Sequence, residues 1–158
     1  MRKLIAATAG AAILVSGACA TTKEGRSVNS SSQTAESQNP LLRPWTGPFG
    51  GTPPFDQIRV EHFEPAIEAA MELNRREIAA IAATEAAPTF ENTIAALERS
   101  GRTLANAMAA FGVFSNGLAS PEFQAVELEL APRLAAFSDE VVQNAALFRR
   151  IEAVWNSP

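Results

Sequence analysis

Tyrosine is absent from this 158-residue chain, and histidine and cysteine each occur once. A single cysteine, Cys19, rules out any disulfide within the chain. A single histidine, His62, rules out the zinc-protease helix motif H-E-x-x-H, which needs two imidazoles one turn apart on one ion. No Lys/Arg block occurs and the formal net charge is −4, so the chain lacks the basic footprint of a nucleic-acid binder. β-Branched residues are sparse in the second half while alanine is abundant. That composition favours helix over strand. No G-x-S-x-G elbow and no GK[ST] after a glycine pair are present, which removes the commonest serine-hydrolase and phosphate-loop signatures.

The chain begins as an export signal. Met1-Arg2-Lys3 is a short basic start, Leu4 to Val15 carries no charge, and Ser16-Gly17-Ala18-Cys19-Ala20 supplies small residues. This is the three-part layout of a secretory signal peptide, expected over residues 1–19. The apolar run is shorter than the ~20 residues a membrane-spanning helix needs. Cys19 has two readings: the lipid-modified first residue of a bacterial lipoprotein, or the centre of an Ala18-Cys19-Ala20 site for ordinary signal peptidase. Ser16 stands where the lipoprotein pattern usually has Leu or Val. Either way the expected location is outside the cytoplasm, periplasmic or tethered to the membrane through Cys19.

Residues 20–39 are rich in Ser, Thr, Gln and Asn. They are expected to remain a disordered tether, because they have too little apolar surface to offset ordering entropy. Residues 40–57 change character: Pro and Gly punctuate a stretch holding Leu41, Leu42, Trp45, Phe49 and Phe55. An extended strap lying over a domain is expected there, with Gly50-Gly51 as a turn.

From Ile58 the period becomes helical. Val60, Phe63, Ile67, Ala70, Met71, Asn74, Ile78 and Ile81 fall on one face. Ala86-Ala87-Pro88 breaks that helix. Thr89 is placed to cap a second one, whose stripe is Phe90, Ile94, Leu97, Gly101, Leu104, Met108 and Phe111. Gly101 within the stripe implies either close approach of another helix or a break. Ser120-Pro121 opens a third helix, with Phe123, Val126, Leu130, Leu134, Phe137 and Val141 inward and a kink expected at Pro132. Asn144 caps a fourth, carrying Leu147, Phe148, Ile151, Val154 and Trp155. Connections this short predict an all-α domain of antiparallel helical hairpins over residues 58–158.

Nothing in this pattern makes a catalytic centre. His62 with Glu61 or Glu64 is a poor ligand set, since adjacent helical residues face different ways, and a structural role near a helix start fits it better. Ser115 and Ser120 have no base beside them and read as caps. Glu127 and Glu129, two apart, diverge on a helix. Phe90, Phe111, Phe114, Phe123 and Phe137 have the spacing of a core face, with a peptide-binding groove as the rival reading. The expected site is therefore empty: no catalytic, cofactor-binding or metal residue in this chain, with Cys19 as the one candidate modification site.

The segments NPLLRPWTGPFGGTPPFDQI, VEHFEPAIEAAM, APTFENTIAALERSG, SPEFQAVELELAPRLAAF and NAALFRRI occur in this order from about Asn39 to Trp155. Together they closely resemble the amino-terminal region of the peptidyl-dipeptidase Dcp and oligopeptidase A family, the thimet-oligopeptidase-like zinc metallopeptidases. The strap is more typical of the Dcp branch. The resemblance implies a large helical hydrolase with a deep substrate channel, one wall of which these helices form. It implies zinc in the complete protein, short peptides as substrates, and release of carboxy-terminal dipeptides. It places the H-E-x-x-H helix in a carboxy-terminal catalytic region beyond Pro158, so no catalytic role transfers to any residue here. The expectation is a fragment of that enzyme, inactive alone. The rival is a stand-alone exported helical lipoprotein that binds a peptide or partner.

Overall fold

The computed structural model describes residues 38–46 and 51–157. The signal peptide with Cys19, the tether up to residue 37, and Phe49 and Gly50 of the strap lie outside the described residues. The described chain is all-α, as the periodicity predicts. A 3-10 turn, Val60–His62, leads into α1 (Phe63–Ala82). A π-type turn, Phe90–Ile94, leads into the short α2 (Ala95–Arg99). Then come α3 (Arg102–Gly117), α4 (Pro121–Val142) and α5 (Ala145–Trp155). Thr46 and Thr52 form an isolated antiparallel bridge.

Each start has a local cause. His62 Nδ1 accepts the Arg59 backbone N–H at 3.0 Å, and Pro65 sits in the first turn of α1, where its missing N–H costs nothing. Thr89 Oγ1 accepts the Asn92 N–H at 3.2 Å while Asn92 Oδ1 accepts the Thr89 N–H at 2.8 Å. This reciprocal pair satisfies two end groups at once. Ser120 Oγ accepts from Phe123 N–H, with Pro121 as the first helical residue. Asn144 Oδ1 accepts from both Ala146 and Leu147 N–H.

Two expectations about continuity are settled by backbone geometry. The stripe from Phe90 to Phe111 is not one helix. It breaks at Ser100-Gly101, where Gly101 takes the left-handed conformation at φ 68°. Gly101 also lies against α1, since a Cβ there would stand 3.0 Å from Asn74 Oδ1. Both readings of Gly101 therefore hold. Pro132 lies inside α4, as the pattern placed it, and the helix runs through it. Leu128, whose carbonyl loses its helical donor to Pro132, lies on the exposed side, where water can satisfy it.

α1 packs against α3, α4 and α5. Its Ala66 and Ala70, with Ala107 and Ala110 of α3, are all fully buried; small side chains allow two helices to approach closely. Phe63 is the centre of the main core. Its ring meets Phe111, Phe114 and Phe123 edge-on at 5.5, 4.8 and 5.3 Å, the arrangement aromatic quadrupoles favour. Leu41 and Ile58 are buried in the same cluster, so residues before α1 close one end of it. A second cluster joins Ile78 and Ile81 of α1 to Leu147 of α5. The core reading of the phenylalanine stripe holds for Phe111, Phe114, Phe123 and Phe137. Phe90 departs from it, at 61% exposed, because the π-type turn rotates it off the face that the continuous-helix reading assigned.

Candidate functional site

Among the described residues no three His, Cys, Asp or Glu side chains gather as a metal-holding group. His62 has its Nδ1 engaged by Arg59 N–H, and its carbonyl accepts from Asn39 Nδ2 at 2.9 Å. Its role is to knit residues 39 and 59 to the start of α1. Ser120 is a cap, and Ser115 lies within α3. Among the described residues no donor set fits zinc.

Charged chemistry instead concentrates in a cleft of about 450 Å³ between α1 and α4, lined by Glu68, Met71, Glu72, Arg75, Arg133 and Ala136. Arg133 of α4 donates to Glu64 at 2.9 Å and to Glu129, one turn back, at 2.6 Å, and also to Glu68. One guanidinium thus gathers three carboxylates, two from α1 and one from its own helix. Its pKa is raised, first by the hydrogen bond to Glu64, with the charges of Glu68, Glu129 and Glu64 adding to it. Arg75 of α1 reaches the other way. Its Nε donates to Glu140 at 2.8 Å, Glu72 lies 3.6 Å from Nη1, and its guanidinium stands 5.2 Å from the Phe137 ring centroid. The Glu140 hydrogen bond is the main cause of its raised pKa.

These groups are more than a third exposed, so solvent screens the pairs and they contribute little to stability. Their geometry fixes the register of α4 on α1. The cleft offers both signs of charge and an apolar floor at Met71, but no nucleophile with a base beside it. Of the pairs, only Glu129–Arg133 was legible as an i, i+4 couple. The Glu64 and Glu68 contacts span 69 and 65 residues and carried no local signal.

A second polar centre lies between α5 and the connection 83–89. Arg150, 7% exposed, donates through Nη1 to the carbonyls of Thr84 at 2.6 Å and Ala86 at 3.2 Å. Its Nη2 donates to Asn92 Oδ1 at 2.9 Å. Asn92 in turn donates to the Ala87 carbonyl at 2.9 Å. This is a clamp on the turn that Pro88 creates. Sequence reasoning missed it, although Arg150 lies three residues after Leu147 and four before Val154, on the apolar face of α5.

No family model matches the chain. The curated proteins do include relatives. The dipeptidyl carboxypeptidase of Escherichia coli (strain K12) is 38% identical over 117 residues, 74% of this chain and 17% of that protein. The dipeptidyl carboxypeptidase of Salmonella typhimurium (strain LT2) is 38% identical over 119 residues, 75% of this chain and again 17% of the relative. The chain spans about a sixth of the length of these relatives, and over the stretch it shares with them it belongs to the dipeptidyl carboxypeptidase family.

Proposed function

We propose that this chain is the amino-terminal segment of an exported zinc metallo-oligopeptidase of the peptidyl-dipeptidase type. The complete protein hydrolyses short peptides and releases carboxy-terminal dipeptides. The observation that carries this reading is the asymmetry of the match: three quarters of this chain, but 17% of each relative. On this reading the segment contributes a surface of the substrate channel rather than its chemistry.

In the complete enzyme a bound zinc would supply Lewis-acid chemistry, held by residues other than the described ones. Among the described residues no group of side chains would hold that ion. Their part is structural: α1, α3 and α4 form a wall braced by the Phe63 cluster, and the Arg133 and Arg75 pairs hold α4 in register on α1. Cys19 serves as the export or lipidation position, and the stretch from residue 20 to 37 as the spacer between envelope and enzyme; Asn39, expected in that tether, is instead buried against the start of α1. The protein acts in the periplasm or on the envelope surface.

A second reading, a stand-alone exported lipoprotein that binds a peptide or partner, draws on the closed phenylalanine core of the described residues. The same burial removes Phe111, Phe114, Phe123 and Phe137 from any groove it would offer. The deciding experiment is to read the gene downstream of codon 158 and to immunoblot the native product. An open frame carrying H-E-x-x-H, with a full-length band, is the expected result. A stop codon with a stable short product overturns the proposal.

A further inference from the structure

Polarity is divided unevenly over the exterior. The turn before α1 and α1 itself carry exposed Glu61, Glu68, Glu72 and Arg76. α5 differs. Leu147 and Arg150 point inward, and at 100° per residue Phe148 and Trp155, seven positions apart, fall on a second face about 20° from each other. Phe148 is 60% exposed and Trp155 is 87% exposed. An exposed apolar residue standing singly needs no explanation. Two large aromatics aligned on one helix face, with exposed Arg149 and Glu152 beside them, have the composition of an interface centre with a polar rim.

We infer that the Phe148–Trp155 stripe of α5 is the seam on which the remainder of a peptidyl-dipeptidase body docks. The inference rests on the proposed function above and names the partner surface that reading requires. The occupant follows from length. The relatives continue over more than four fifths of their sequence outside the matched stretch, and that polypeptide must bury part of this segment's exterior. α1 presents charges outward, and the cleft beside it is lined by ion-paired groups. Among the described residues Phe90 is also exposed, but it stands alone, whereas Phe148 and Trp155 align on one face of a single helix.

The test uses two proteins. One is the 158-residue chain itself. The other is a chimera in which the matched stretch of the Escherichia coli dipeptidyl carboxypeptidase is replaced by the corresponding residues of this chain. F148Q/W155Q is made in both, with E61Q/R76Q, one residue in the turn before α1 and one on α1, as control. The expected result is an unaltered melting temperature for the isolated chain, where both aromatics already face water. In the chimera the same pair lowers the melting temperature by several degrees and brings earlier loss of dipeptide release on heating, while the control pair changes neither protein. A folded, active chimera that melts alike with and without F148Q/W155Q overturns the seam and leaves the proposed function standing. A chimera that does not fold or release dipeptides even with Phe148 and Trp155 intact overturns the proposed function and the seam together. Sedimentation of the isolated chain as a dimer that F148Q/W155Q disperses assigns the stripe to a second copy and also overturns the seam.

Discussion

The Glu77 carboxylate accepts the Gly101 backbone N–H at 2.7 Å, tying the break between α2 and α3 to the middle of α1. Asn74 Nδ2 donates to the same Glu77 oxygen at 3.3 Å, and Asn74 lies where a Gly101 side chain would go. Gly101→Ala therefore meets two obstacles. The left-handed conformation costs a non-glycine residue about 1–2 kcal/mol, and Asn74 must move. Glu77→Ala removes the acceptor of a part-buried N–H and is expected to cost about 1–3 kcal/mol, whereas Glu77→Gln keeps an acceptor oxygen and loses less. Urea unfolding gives the order: wild type, then E77Q, then E77A. An unchanged midpoint for G101A would contradict the account of this junction.

The Arg150 clamp makes a separate prediction. Arg150→Met keeps the aliphatic packing but strips the donors from the Thr84 and Ala86 carbonyls and from Asn92. A loss of about 1–3 kcal/mol is expected, from part-buried acceptors left without their donor. Arg150→Lys rescues little, because one ammonium cannot reproduce a planar fork reaching three acceptors. Hydrogen exchange locates the damage, with faster exchange confined to residues 83–95. Uniform loss of protection along the chain would count against a local clamp.

Phe63 stands at the centre of the aromatic cluster at 0% exposure. Phe63→Ala is expected to cost about 3–5 kcal/mol, the range for a buried phenylalanine whose cavity cannot fully collapse. Phe63→Leu retains most of the volume and costs less. Near-ultraviolet circular dichroism checks the assignment, since loss of the edge-on ring packing lowers the aromatic signal even where the helices persist.

Glu122, in the first turn of α4, has its pKa lowered, first by the Ser120 hydroxyl and then by its own backbone N–H. A carboxylate with a depressed folded pKa favours the fold in its charged form. That contribution is present above the ordinary carboxylate pKa and is lost as pH falls through the lowered folded value. Stability in acid is therefore expected to decline slightly more steeply for wild type than for Glu122→Gln. Ser120→Ala costs about 1 kcal/mol at neutral pH by removing the cap on Phe123 N–H and flattens the same acid limb. Thermal melts from neutral pH to pH 3 read both effects; parallel curves for E122Q and wild type would refute the linkage.

Helix starts were the most legible part of this chain. Thr89, Ser120-Pro121 and Asn144 cap where their side-chain chemistry predicts, because capping is decided within four residues. The break at Gly101 was open in the sequence, as a glycine in an apolar stripe serves close approach and reversal equally well. Phe90, Phe148 and Trp155 were placed in stripes by period alone. A hydrophobic pattern marks apolar residues but not which of two adjacent faces meets the core, and α5 turns Leu147 and Arg150 inward while Phe148 and Trp155 stay outside. The burial of Arg150 and two of the three carboxylates gripped by Arg133, Glu64 and Glu68, depend on partners more than fifty residues away, beyond the range of any local rule. The family resemblance was legible because several weak segments occur in a fixed order, and the relatives from Escherichia coli and Salmonella typhimurium carry it.

The central claim is that this polypeptide shares a peptidase's framework without the ligands that make its metal centre. Zinc content and peptide cleavage of the purified 158-residue chain test it directly, using elemental analysis after dialysis and mass spectrometry of a short peptide substrate. The account predicts no retained zinc and no dipeptide release. One tightly bound zinc per chain, with chelator-sensitive release of carboxy-terminal dipeptides, would contradict it.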